Sequence, residues 1–180
     1  MDATLDWFGC ATFRLTVGPL VIFLDAYLDR VPSAPPVGLR PEDVERADWI
    51  VVGHSHFDHL WGAERIAKRT GARILGSHET VRVMEAQGVP LERMIPVAGG
   101  ERARLSEDVT VDVYPSQHSC VWSQTAMSAA DEVCMGELGL TWQEQQERFR
   151  ALASHFGTLG PDVIAHLHAS AQGPRGDGGA

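Results

Sequence analysis

Within the six residues His54-Ser55-His56-Phe57-Asp58-His59, three imidazoles and a carboxylate follow directly on an apolar run. These groups are ligands for divalent cations. Two histidines at i and i+2 in an extended or turning segment point the same way and bind one ion, so His54 and His56 form the first candidate site. Asp58 and His59 are turned toward a second position nearby, which makes two metal sites the natural result. Imidazole with carboxylate and no thiolate suits zinc, and also manganese or iron. Four ligand-type residues at this spacing after a buried strand outweigh an accidental histidine-rich surface loop. Phe57 and Leu60 are read as core anchors that fix the loop.

Other chemistry-bearing residues stand further along. Val109 to Tyr114 alternates apolar with polar as a half-buried strand does, and Pro115 stops it just before Ser116-Gln117-His118, which places another histidine at a strand end. His166 and His168 are two apart on an expected strand Val163 to Leu167, while His155 and His78 have no supporting context. Asp177, in a glycine-rich stretch that follows no apolar run, reads as a loop residue.

The elements that must position these groups are short. Ala11 to Val17, the Gly18-Pro19 turn and the apolar run Leu20 to Leu24 predict a hairpin ending in a buried strand. Pro32 to Pro41 is a loop, and Pro41-Glu42-Asp43 opens a helical turn with proline at its first position and acids at its positive end. Asp48 to Gly53 is the strand that delivers the histidine cluster to the sheet edge. Helices are expected over Leu60 to Lys68, with Ala63, Ile66 and Ala67 on one face and Gly71 as cap, and over Glu79 to Gln87, closed by Gly88. Arg73 to Gly76 and Met94 to Val97 are the intervening strands. Strands alternating with helices predict an α/β fold.

Periodicity fails from Ser119 to Met135, which reads as an insertion. Thr141-Trp142-Gln143-Glu144 then has the capping-box form, and Trp142, Phe149, Leu152 and Phe156 mark one side of a helix over 141–156 that Gly157 can end. The expected division is a metal-binding part over 1–118 and an insertion with a glycine-rich tail over 119–180.

The 180 residues fit one domain, and 44 % hydrophobic with 22 % charged residues allows a real core. A formal charge of -9 disfavours broad nucleic-acid binding. A small anionic substrate stays open, because divalent cations in a pocket outweigh a distant negative surface. Cys10, Cys120 and Cys134 form no metal or redox pair, no signal sequence opens the chain, and no apolar run nears the ~20 residues of a membrane span. The expected compartment is the cytoplasm.

The run Ala47 to Gly62, with His54-Ser55-His56-Phe57-Asp58-His59 inside it, resembles the His-x-His-x-Asp-His signature of the metallo-β-lactamase superfamily. Trp7-Phe8-Gly9-Cys10-Ala11-Thr12, followed by Ile22-Phe23-Leu24-Asp25, is similar to the branch of ascorbate-phosphate lactonase-like and N-acyl-phosphatidylethanolamine phospholipase D-like enzymes. There Trp-x-Gly-His-Ala-Thr is usual, and Cys10 stands in place of the histidine. The resemblance implies an αβ/βα sandwich of two similar halves, of which this chain covers the first half and an insertion.

It further implies that His54 and His56, with His118, bind a first metal and that Asp58 and His59 belong to a second. The bridging aspartate and last histidine of that pattern are not found. Two zinc ions are the expected cofactors, with manganese or iron as alternatives. The implied activity is metal-assisted hydrolysis of a small ester, lactone or phosphodiester, with Asp58 also passing a proton. A non-haem iron oxidoreductase of the same superfamily and a non-catalytic binding domain are the competing readings. The sequence is expected to be a fragment, a cleaved product, or a chain completed by a second copy or another polypeptide.

Overall fold

The computed structural model describes residues 2–30, 34–116, 141, 143–144, 146–147, 150–151, 154 and 158–165. His118, His155, His166, His168 and Asp177 lie outside the described residues, as do Cys120 and Cys134.

Three antiparallel strands open the chain: β1 (Ala3–Trp7), β2 (Phe13–Val17) and β3 (Leu20–Leu24). Three parallel strands continue the sheet: β4 (Trp49–Val51), β5 (Arg73–Gly76) and β6 (Met94–Pro96). The order is β1-β2-β3-β4-β5-β6. Between β4 and β5 run α1 (Phe57–Leu60) and α2 (Ala63–Thr70), and between β5 and β6 runs α3 (His78–Ala86). A separate hairpin pairs β7 (Arg102–Arg104) with β8 (Thr110–Asp112). The α/β expectation holds.

Strand alternation divides the core into two layers. Phe23, Ile50, Ile74 and Met94 face one way and pack with Ala63, Ile66, Ala67, Val83 and Met84 of the helices. Ile22 and Trp49 face the other way and pack with Leu105 and the β7–β8 hairpin. The Trp49 indole N–H donates to the Leu105 carbonyl at 3.0 Å, tying the hairpin to the sheet.

Boundaries follow local chemistry. α2 buries Ala63, Ile66 and Ala67 as its spacing predicts, and Gly71 at φ 80° ends it. Ser77 caps α3 by accepting from the Thr80 amide. In Thr141 and Glu144 the capping box is formed: the Thr141 amide donates to Glu144 Oε2 at 2.8 Å, and the Glu144 amide donates to Thr141 Oγ1 at 3.3 Å. Residues 161–165 are helical, whereas the sequence predicts a strand from Val163. The Val163 and Ile164 amides both donate back to the Gly160 carbonyl, and Pro161 with Asp162 supplies the residue types of a helix start.

Gly62 fixes how the cluster's loop leaves the site. Its φ of 117° is closed to side chains, and an added Cβ would lie 2.8 Å from Pro41 Cγ and 3.3 Å from the Ala26 carbonyl oxygen. Gly62→Ala is therefore expected to cost about 2–4 kcal/mol, from backbone strain plus overpacking. A urea titration against the parent chain measures it.

Candidate metal centre

Parallel strands release their chains at one edge of the sheet, where open α/β sheets bind ligands. Leu24 of β3 is followed by Asp25, and Val51 of β4 by Val52, Gly53 and His54. The Asp25 amide donates to the Val51 carbonyl at 2.8 Å, so the ladder continues one residue past β3 and brings the two strand ends side by side.

Beyond Gly53 the chain keeps a two-residue alternation. Ser55 is buried at 5 % exposure, while His54 and His56 are half-buried on either side of it. His54 Nε2 and His56 Nδ1 lie 3.1 Å apart. Two nitrogens on one tetrahedral zinc are separated by roughly 3.3 Å, as follows from Zn–N bonds of about 2.0–2.1 Å. The pair already has the spacing of two ligands to one ion. Asp58 completes the group: one ligand atom each from His54, His56 and Asp58 falls within 4.8 Å of the others. Two imidazoles and a carboxylate thus converge closely enough to hold a metal ion.

His59 stands against this group. Its ring centroid is 3.9 Å from that of His54, and its Nε2 faces Asp58 Oδ2 at 3.8 Å. Its Nδ1 is bound to Asp25 Oδ2 at 2.7 Å, while Asp25 Oδ1 accepts the Gly53 amide at 2.8 Å. Asp25 itself is 9 % exposed and held at φ 54°, a conformation that aspartate tolerates better than most residues. One carboxylate therefore orients His59 through its Nδ1–H, leaves Nε2 without that proton, and fixes the glycine before His54.

In the sequence Asp25 stands out only as part of a resemblance. A signal for a functional role is nevertheless there: an acid directly after a buried strand, the same placement that singles out His54. His118 lies outside the described residues, which end before it at Ser116. Pro115 abuts Gly99, just beyond β6, with Pro115 N only 2.6 Å from where a Gly99 Cβ would be. The segment after β8 thus reaches the chain just beyond β6.

Burial alone would lower the His59 pKa, but the hydrogen bond to Asp25 and the charges of Asp25 and Asp58 outweigh it and raise it. A raised folded-state pKa means that, without metal, stabilisation is fully present below the ordinary value of about 6.5 and is lost as pH climbs through the raised value. Metal binding has the opposite slope, because the ligand nitrogen must shed its proton. Urea midpoints of chelator-treated chain should therefore fall as the pH is raised above about 6.5, and His59→Gln should flatten that fall.

Residues 21–138 match the Beta-lactamase superfamily domain, and the chain belongs to this family. It is 34 % identical over 115 residues to a UPF0173 metal-dependent hydrolase of Pyrobaculum islandicum, covering 64 % of this chain and 50 % of that protein. A UPF0173 metal-dependent hydrolase of Archaeoglobus fulgidus is 38 % identical over 115 residues, covering 64 % of this chain and 46 % of that protein. The chain spans about half the length of the curated relatives it matches. Among solved structures, a metallo hydrolase of Ignicoccus hospitalis shares the fold at a TM-score of 0.50 and 24 % identity, over 65 % of this chain and 50 % of that one. The match to half of each relative fits the α/β metallo-β-lactamase-like layer described above.

Proposed function

We propose that this chain is the metal-binding half of a metal-dependent hydrolase acting on a small ester, lactone or phosphodiester. The observation that carries the reading is the 3.1 Å approach of His54 Nε2 to His56 Nδ1 with Asp58 in the same group. The name metal-dependent hydrolase, borne by relatives that share this segment, supports it.

In this reading His54, His56 and His118 hold the first ion, and Asp58 and His59 the second, with zinc the metal that best suits imidazole and carboxylate. A divalent cation bound there supplies hydroxide at neutral pH and polarises the substrate's carbonyl or phosphoryl oxygen. Asp58, one carboxylate oxygen of which belongs to the ligand group, holds the proton of the attacking water and passes it to the leaving group. Asp25 keeps His59 in the tautomer that offers Nε2. Tyr27 meets Phe57 of the same loop edge-on, with ring centroids 5.7 Å apart, and so helps hold the loop in place.

Residues 1–118 are the metal-binding half and 119–180 the insertion of this reading. The free Cys10 suits a reducing, cytoplasmic setting. No helix among the described residues is long and apolar enough to cross a membrane.

Metal analysis of chain purified without added metal, combined with turnover of 4-nitrophenyl acetate and bis(4-nitrophenyl) phosphate, tests the proposal. Zinc or manganese with turnover is expected. Iron with oxygen consumption would turn the reading to an oxidoreductase, and no retained metal would leave only a binding domain.

A further inference from the structure

The turn between β1 and β2 is built to receive an arginine. Gly9 at φ 84° and Cys10 at φ 48° bend the chain, and a Cβ on Gly9 would come within 3.3 Å of Arg30 Nη2. Arg30 Nη1 donates to Cys10 Sγ at 3.0 Å and Nη2 to the Phe8 carbonyl at 3.2 Å. Its guanidinium carbon lies 4.1 Å from the centre of the Tyr27 ring. Tyr27 in turn meets Phe57 edge-on, and Phe57 is flanked by His56 and Asp58. A continuous column of contacts thus runs from Arg30 to the metal cluster.

The groups that hold Arg30 are a cysteine sulfur, a backbone carbonyl and an aromatic ring. Among the described residues no carboxylate pairs with it, and its neighbour Asp29 is turned instead to Arg65 at 3.0 Å. The Arg30 Nε is buried with no hydrogen-bond partner among the described residues, and Nη1 and Nη2 each make one hydrogen bond, so their second hydrogens are the donors left to meet an anion. Buried N–H groups are nearly always satisfied, and guanidinium forks are shaped for carboxylate and phosphate oxygens. In a chain of net charge -9 such a half-buried cation without a carboxylate is out of keeping with the surface around it. Beside it Trp7 is 67 % exposed, its ring fixed by an indole N–H donated to the Cys10 carbonyl at 3.0 Å.

We propose that Arg30, with the Trp7–Cys10 turn and Tyr27, forms an oxyanion subsite beside the metal cluster that takes a phosphate or carboxylate carried on an apolar group. In naming a substrate class it rests on the hydrolase reading, while the subsite itself rests on Arg30. Tyr27 lies within reach of the charges of both Arg30 and Asp58, and burial, the largest influence on it, raises its pKa so that the phenol keeps its proton.

The test is calorimetric titration of the zinc-loaded chain with phenylphosphonate and with its uncharged dimethyl ester. Arg30→Gln is expected to weaken phenylphosphonate about tenfold, Arg30→Lys less, with ester binding and zinc content unchanged. A purely structural clamp would move the melting temperature of these variants without separating the anion from the ester. On the unaltered chain, phenylphosphonate should protect Arg30 from phenylglyoxal, which keeps the test decisive if Arg30→Gln fails to fold. No phenylphosphonate binding by the parent chain, equal binding by Arg30→Gln, or no protection of Arg30 overturns the subsite. Turnover of 4-nitrophenyl acetate in the same preparations separates the two readings. Arg30-dependent binding without turnover sinks the hydrolase alone, and turnover with Arg30-independent binding sinks the subsite alone.

Discussion

His56→Ala should strip the divalent cation from the chain and lower any metal-dependent turnover by more than about 100-fold. Loss of a group that merely orients a ligand already costs about 10–100-fold in metal affinity or activity, and His56 is placed as a ligand itself. The fold should survive. His56 is half-buried in the loop beyond β4, and the core beneath it is made by Ile50, Ile66 and Ile74 rather than by the imidazole. Equilibrium dialysis against zinc, with a thermal melt as the control for folding, measures both halves of the expectation. Retention of zinc by a folded His56→Ala chain would count against the cluster.

The second large effect is expected at Asp25. An asparagine in its place would match the shape and tolerate the positive φ, yet it presents only one acceptor oxygen where the carboxylate now accepts from both the Gly53 amide and His59 Nδ1. One donor must lose its partner, at about 1–3 kcal/mol of stability, and His59 is freed to turn. Asp25→Asn should therefore lower zinc affinity about 10–100-fold while leaving the first pair of histidines in place. A zinc titration followed by a urea unfolding series reads the two consequences separately. If affinity holds while stability falls, Asp25 serves the fold and not the site.

The cluster is legible in the sequence because all its ligand types fall within six residues and follow an apolar strand. Asp25 is harder to see, since it meets His59 across 34 residues, through a parallel pairing of β3 with β4 that no local pattern encodes. Sequence patterning predicts neither β1 nor β7. β1 is an exposed edge strand in which Leu5 and Trp7 are 59 % and 67 % exposed, so its pattern carries no burial signal. β7 is three residues of arginine and alanine, held by pairing with β8 rather than by propensity. Over the described residues 163–165 the expected strand is replaced by helix for a related reason. A short apolar run is ambiguous by period, and the Gly160-Pro161-Asp162 start tips residues 161–165 into a helical turn.

The helices of the core are better specified. Ala63, Ile66 and Ala67 recur at helical spacing and all are buried, and Gly71 ends α2 where the sequence puts it. α3 begins one residue earlier than expected, because Ser77 rather than His78 carries the capping hydroxyl.

Whether these imidazoles share an ion is settled most directly by X-ray absorption at the zinc edge of the zinc-loaded chain. The expected set of atoms bound to zinc contains at least two imidazole nitrogens at about 2.0–2.1 Å together with oxygen. A set of oxygens alone, or one dominated by sulfur near about 2.3 Å, would contradict the account.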